Sequence, residues 1–485
     1  MPDTPSSSLP AAAGTVLHRG TPEYDLSHAQ YFNKEDTARF PAEIHVVRTS
    51  ADVSRALARA TELKVPVGVR AGGHLPSKPS LIQDGILVDV SQLNHEVAYD
   101  GRTHEVCFGP GVRVFEAWKA TDALGRFFPF GHAPDVALGG FCLAGGQGFF
   151  MRGWGATVTE WIVRLEIVMA DGRALTASRT ENQDLFWAAR GAGQAFFGVV
   201  TRFWSKTVPK RRLFGRTFVF RVGDRFEDLI AFALERNNAT PKRFTESAMC
   251  TMHSEIFDSQ SGDESVPQSS PLLLCINASA YADTLAEAKT MLSAWDQVPG
   301  DLQSNVLEAN PVAEVSWEEF FQDQHRWNPQ TPDQKWVINS ILNDPSVPLP
   351  KMLEAIKPAL CNLPTRSSYG CLYMCDTVAP DENDAVFSIP QQYYISTFGG
   401  WKSPSLRPQV QDTLRESYKR ADSVACGIYI ADFDQSIDSL HSPEIKVWTD
   451  SARDRWMEIR KKWDPQGLFP GYKAFAAGVK QKGSL

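Results

Sequence analysis

Val67-Gly-Val-Arg-Ala-Gly-Gly-His74 is answered further along the chain by Gly131-His-Ala-Pro-Asp-Val-Ala-Leu-Gly-Gly-Phe-Cys-Leu-Ala-Gly-Gly-Gln-Gly148. The first stretch is a short strand that runs into two adjacent glycines. Such a pair lets the backbone turn with positive φ and lets successive N–H groups converge on an anion. The second stretch crowds glycines at 139, 140, 145, 146 and 148, which suits close approach of backbone to a large planar or phosphorylated ligand. Taken singly, each run reads more readily as a set of tight turns. Their order and surroundings decide the fold.

Around them, residues 43–210 alternate strands and helices. Ile44-His-Val-Val is strand-like. Thr49 to Lys64 reads as a helix, with Thr49 and Asp52 forming a capping box and Val53, Ala56, Leu57, Ala60 and Leu63 an apolar stripe. Ile86–Val90, Glu105–Gly109, Trp161–Ala170 and Phe196–Trp204 read as strands, and Val112–Leu124 as a helix. Asp171-Gly172 signals a hairpin. Beyond Pro209, strand-like stretches at 216–222, 246–252, 272–278, 370–375 and 392–398 interleave with helical ones near 224–237 and 283–295. That order predicts an antiparallel sheet with helices on one face, hence an α+β fold. Residues 257–270 read as a mobile surface loop. Pro443 to Trp463 reads as a helix with Ile445, Trp448, Ala452, Trp456, Ile459 and Trp463 on one stripe, stopped by Asp464-Pro-Gln-Gly.

Composition narrows the function. The 485 residues carry 49 basic and 57 acidic side chains, a net charge of −8, with 43% hydrophobic residues. This is ordinary globular usage and supports a large core. The acidic balance argues against a nucleic-acid partner, and no uninterrupted apolar run is long enough for a membrane helix. The N-terminus lacks the basic and apolar regions of a signal peptide, so an intracellular location is expected, with secretion of a processed form left open. Eight scattered cysteines read as free thiols in a reducing compartment. No Gly-x-x-x-x-Gly-Lys-Ser/Thr, His-Glu-x-x-His or Gly-x-Ser-x-Gly motif occurs, and the histidines show no metal-ligand spacing.

Read together, the motifs resemble a known family. Pro41–Val53, Pro66–His74, Gly131–Gly140, Asp184-Leu-Phe-Trp-Ala-Ala-Arg-Gly-Ala-Gly193, Phe197-Gly-Val-Val-Thr and Lys462-Trp-Asp-Pro-Gln-Gly-Leu-Phe469 look like the berberine-bridge-enzyme-like FAD-linked oxidases. That group lies within the vanillyl-alcohol oxidase and p-cresol methylhydroxylase superfamily. The resemblance is strong over 40–205, fair over 440–470 and weak between. It implies an N-terminal extension (1–39), an FAD-binding domain of two subdomains (40–210), a substrate domain with an antiparallel sheet (211–438) and a C-terminal return to the FAD domain (439–485). It further implies that His74 carries FAD covalently through the flavin 8α-methyl group. Ala133 stands where doubly linked members have cysteine, so a single link is expected. Arg70, Ala71, Gly72, Gly73 and Ser80 are expected along the pyrophosphate. Ala133, Val136, Gly139, Gly140, Gly145 and Gly148 are expected on the other side of the cofactor, with Gly198 and Val199 at the adenine.

The implied activity is hydride transfer from an alcohol, sugar or secondary metabolite to flavin while a base takes a proton, with oxygen as acceptor; small Ala137 would leave oxygen room. Gln392–Trp401 resembles the family's active-site strand, and period-two alternation puts Tyr394 with Ser396 on one face, Tyr393 and Thr397 on the other. Tyr394 is the first candidate base. Its phenol would need a lowered pKa, with His132 the one cation that sequence suggests. Asp432 reads as a replacement base or as a solvated carboxylate, and Tyr429 is a further candidate. The family's asparagine and tyrosine in this segment are replaced by Ala431 and Asp432. Two alternatives remain: an FAD-binding protein with lost or altered catalysis, and a dehydrogenase using a non-oxygen acceptor.

Overall fold

The computed structural model describes residues 14–253, 264, 266, 270–327, 331–436 and 439–476. Three principal sheets organise it. The first has four strands, Thr15–His18, Glu43–Val46, Ile86–Asp89 and Val67–Arg70 in spatial order; the last three run parallel. The Ser50–Leu63 helix covers it and begins with both halves of the Thr49/Asp52 capping box. The second sheet is an antiparallel five-stranded array in the order Val97–Asp100, Glu105–Phe108, Gly198–Lys206, Ile162–Met169, Ala174–Ser178. Asp171-Gly172 makes its hairpin, with Gly172 at φ 82°.

Nine strands form the third sheet, and its path runs through Leu272–Ala282, Thr245–His253, Tyr369–Thr377, Gln391–Trp401 and Lys335–Asn343, every adjacent pair antiparallel. One face buries Met249, Leu372, Met374, Tyr393 and Ile395 together with the helices Phe226–Ala239 and Leu349–Cys361. The opposite face sends Tyr373 and Tyr394 into the core cluster of the FAD-binding half. Strand periodicity decides this division: from Tyr369 to Met374 the pairing with Gln391–Trp401 keeps one register, so alternate residues serve different cores.

Several elements escaped the sequence reading. Lys335–Asn343 is a central strand, and Leu349–Cys361 and Arg407–Ala421 are helices. Residues 14–39 are not a mere extension. Thr15–His18 is the edge strand of the first sheet, and Asn33 clasps the third: its Nδ2 donates to the Trp336 carbonyl at 3.0 Å while its Oδ1 accepts from the Trp336 N–H at 3.0 Å. The C-terminal helix is shorter than expected, Asp450–Trp463, because Thr449 rather than Pro443 caps it. Most of the 257–270 loop lies outside the described residues.

Two indoles of that last helix, and Trp448 just before its cap, dock on the segment 184–191. Trp448 Nε1 donates to the Gly191 carbonyl (2.9 Å), Trp456 Nε1 to the Ala188 carbonyl (3.0 Å) and Trp463 Nε1 to Asp184 (2.9 Å). Each ring thus buries apolar area without abandoning its one donor.

Candidate active site and cofactor cradle

The two glycine runs, distant in sequence, meet in space. A Cβ built on Gly72 would lie 2.8 Å from Ala137 Cβ, at the mouth of the Leu138–Leu143 helix. Gly73 turns with φ 64°, and a Cβ there would lie 2.7 Å from the Gln30 carbonyl oxygen. Exposed Gly140 has nothing within 4 Å of its Cβ position. Protein fills the Cβ space at Gly72 and Gly73, whereas Gly140 leaves its backbone uncovered, which fits close approach of a pyrophosphate there. Ala71, Ala133 and Val136 are half-buried around it. Ala137 is small because Gly72 passes against it, and at 4% exposure it leaves no room of its own for oxygen.

Other predicted contacts are committed to protein. The Arg70 guanidinium is buried, donating to the Ser27 carbonyl (2.7 Å) and Ser27 Oγ (3.0 Å) and pairing with Asp89 (2.5 Å). Tyr31, under that guanidinium, bonds to Ser80 at 2.8 Å. Arg70 and Ser80 therefore brace the loop from behind. Positions 139, 145 and 148 are glycine because Pro110, Phe387 and the Pro129 carbonyl oxygen occupy the Cβ space. Gly198 packs on Ile167 and pairs with Met169. Val199 follows it at the start of a strand whose second neighbour, Glu105–Phe108, pairs only from Phe203 onward.

His74 stacks on Phe32, ring centroids 4.3 Å apart. Burial, reinforced by the Arg113 charge, pushes its imidazole down to about 4. A neutral imidazole has a free nitrogen lone pair at physiological pH. Cys142, by contrast, is buried in the core with its thiol pushed up by desolvation.

On the third sheet, Tyr394 and Ser396 share the face toward the FAD half, while Tyr393 and Thr397 face the helices. Tyr394 donates its hydroxyl to Asp432 Oδ2 at 2.7 Å, and Ser340 Oγ donates to the same oxygen at 2.7 Å. Burial pushes the Asp432 carboxyl up to about 6, against the two hydrogen bonds that favour its ionised form. Burial and the neighbouring Asp432 push the Tyr394 phenol upward. The expected lowered phenol is therefore absent. Asp432 is no solvated strand-end carboxylate either: it sits in a turn after Tyr429, half-buried and hydrogen-bonded. Tyr429 accepts from the Gly146 N–H at 3.3 Å, and its ring meets Tyr394 edge-on at 6.1 Å.

His132 does not reach Tyr394. Its Nε2 pairs with Glu246 at 3.1 Å. Buried Glu246 also accepts from Tyr373 (3.1 Å) and from the Phe150 N–H (2.7 Å). Sequence reading missed Glu246 and Ser340. Glu246 could have been flagged as a carboxylate on an inward-facing strand position, but Ser340 lies on a strand that itself went unread.

Comparison with known proteins agrees with this geometry. The profile described as "FAD binding domain" matches residues 41–178. The FAD-linked oxidoreductase nodO of Hypoxylon pulicicidum is 24% identical over 478 residues, spanning 94% of this chain and 96% of that protein. Among solved structures, Physcomitrella patens BBE-like 1 superposes with a TM-score of 0.72 at 21% identity, covering 94% of this chain and 95% of that one. The xylooligosaccharide oxidase of Myceliophthora thermophila, solved with xylobiose, gives the same TM-score, identity and coverage. The matching FAD binding domain and the near full-length likeness to FAD-linked oxidoreductases make the chain an FAD-dependent oxidoreductase. Its fold is shared with Physcomitrella patens BBE-like 1 and with the xylooligosaccharide oxidase.

Proposed function

We propose that the chain is an oxidase that oxidises a hydroxyl-bearing small molecule, a sugar or a secondary metabolite, and passes the electrons to oxygen. The observation that carries this reading is the Tyr394–Asp432–Ser340 hydrogen-bond chain on the face turned toward the FAD half. Bound FAD would supply the two-electron acceptor. The protein supplies the proton path. Tyr394 takes the substrate hydroxyl proton as its own proton moves to Asp432 Oδ2, so no free tyrosinate is required. Ser340 holds Asp432 in place. A carboxyl that titrates near 6 is mostly ionised at neutral pH and close enough in affinity to accept and return a proton.

The cofactor is held on this reading by Gly72, Gly73 and Gly140 at the pyrophosphate and by the backbone of Gly198 and Val199 at the adenine. His74, kept neutral, is the single point of covalent attachment. The test is direct. Hydrogen peroxide should appear when the purified flavoprotein meets a panel of alcohols and sugars in air, and Tyr394→Phe should suppress it with the flavin intact. Flavin bleaching without peroxide would instead mark a dehydrogenase. No bleaching with any alcohol or sugar would mark a binding protein.

A further inference from the structure

Cys250 stands between two cysteines on the third sheet. Its register partners are Cys275 on Leu272–Ala282 and Cys371 on Tyr369–Thr377. Backbone direction tells the two pairs apart. The Tyr281 N–H donates to the Phe244 carbonyl at 2.8 Å, and from there the ladder between Thr245–His253 and Leu272–Ala282 runs without a break in register. Hydrogen-bonded pairs recur at every second residue of an antiparallel ladder. Phe244, Glu246, Ala248 and Cys250 therefore turn their N–H and C=O groups toward Leu272–Ala282. Cys250–Cys275 is a hydrogen-bonded pair, and Cys250–Cys371, on the other side, is a non-hydrogen-bonded one.

That difference decides what the sulfurs can do. Side chains of a non-hydrogen-bonded pair stand closer, with Cβ atoms about 4.5 Å apart against about 5.5 Å in the hydrogen-bonded kind. A disulfide needs Cβ atoms about 3.5–4.5 Å apart. Cys371 lies within reach of such a bond to Cys250, and Cys275 does not. Contact with Cys371 is also the largest influence on the Cys250 thiol, pushing it up ahead of burial. Both cysteines are half-buried although each strand is flanked on both sides, so a small oxidant can meet them. Their face is the one toward the FAD half. Tyr373, two residues from Cys371, joins that core, and Cys250 packs against the cluster containing Phe32, which stacks on His74.

We propose that Cys250 and Cys371 form a peroxide-reactive dithiol that closes into a cross-strand disulfide. Cys250 is held protonated, so Cys371 reacts first. Its thiolate attacks a peroxide oxygen, the O–O bond breaks, and hydroxide leaves to take up the thiol proton as water. The Cys250 sulfur then attacks the Cys371 sulfenic acid. The S–O bond breaks, and the hydroxyl leaves with the Cys250 proton as a second water. The two sulfurs give up two electrons, and hydrogen peroxide takes them. On the oxidase reading, turnover itself supplies that peroxide on this side of the sheet.

The experiment uses the flavin-loaded protein, reduced and desalted. It is treated with hydrogen peroxide, alkylated with N-ethylmaleimide, digested without reductant and read by peptide mass spectrometry. Alkylation at Cys250 and Cys371 should be lost together. One linked peptide pair, two hydrogens lighter than its parts, should replace them, and dithiothreitol should restore both sites. Cys275→Ala should leave the link unchanged. In Cys250→Ala, dimedone should trap a sulfenic acid at Cys371. Because the peroxide is added, the link should form even in a chain that proves to be a dehydrogenase, so the two readings fail separately. Undiminished alkylation of both thiols after peroxide overturns the dithiol, as does a link from Cys250 to Cys275.

Discussion

Tyr373 and Tyr394 are direct register partners on adjacent strands, yet their hydroxyls serve different carboxylates, Glu246 at 3.1 Å and Asp432 at 2.7 Å. Glu246 also binds His132 and a backbone N–H, so its hydrogen bonds hold the 131–150 segment against the sheet. Among the described residues Asp432 binds two hydroxyls and no cation. On the proposed reading the Asp432 side moves protons, whereas the Glu246 side holds structure.

Tyr394→Phe should therefore retain flavin and fold but slow flavin reduction by substrate roughly 10²–10⁴-fold, the usual worth of a general base. Stopped-flow bleaching under anaerobic conditions measures this. Unchanged kinetics would return Tyr394 to a packing role.

On the proposed reading, Asp432 sets the pH profile. Its carboxyl, raised to about 6, must be ionised to accept a proton, so kcat/KM should climb as pH rises through about 6 and then level off. Asp432→Asn should remove that limb and lower the plateau. A profile of unaltered shape in the variant would exclude Asp432 from the proton path.

The same shift has a stability consequence with a definite sign. A carboxyl whose folded pKa exceeds its unfolded value binds its proton more tightly in the native state. The native state therefore loses stability as pH rises from the ordinary carboxylate range through about 6. Asp432→Asn can still accept both hydroxyls and carries no charge. Its Tm should exceed that of the native protein at pH 7.5 and match it near pH 4, as differential scanning fluorimetry would report.

His74→Ala should leave no yellow colour in an acid-precipitated pellet, whereas the native protein keeps it. Because burial holds the imidazole neutral down to about 4, attachment to apo-protein should proceed at pH 5 nearly as well as at pH 7. Flavin released from the acid-treated native protein would refute the covalent link.

Trp456 is fully buried and bonded to Ala188. Its replacement by Ala should cost about 3–5 kcal/mol, the usual range for a large aromatic in a core. Truncation before Pro443 removes all three indoles at once and should empty the flavin domain. Chemical denaturation and flavin absorbance check the two cases. Unchanged melting in the truncated chain would show that the helix is dispensable.

Local chemistry explains what could be read in advance. The Thr49/Asp52 cap, the Asp171-Gly172 hairpin and the alternation around Tyr394 each depend on neighbours a few residues apart, so sequence shows them. Lys335–Asn343 could not be read because polar Asn339 and Ser340, both buried, interrupt its apolar residues on both faces. The fate of Arg70 was equally hidden. An arginine beside two glycines suggests a phosphate partner, and only the tertiary approach of Ser27 and Asp89 shows the charge already matched. Asp432 looked ordinary until Tyr394 and Ser340, far away in sequence, closed around it.

The stripe of Trp448, Trp456 and Trp463 also orders events in time. These indoles meet partners that left the ribosome more than 250 residues earlier, Trp448 at a separation of 257 and Trp456 at 268. The flavin half is thus the first part synthesised and the last completed. Nascent chains stalled before Trp448 should be colourless, and flavin should enter only after translation has ended. A stalled chain that already held flavin would show that the half closes without its final helix.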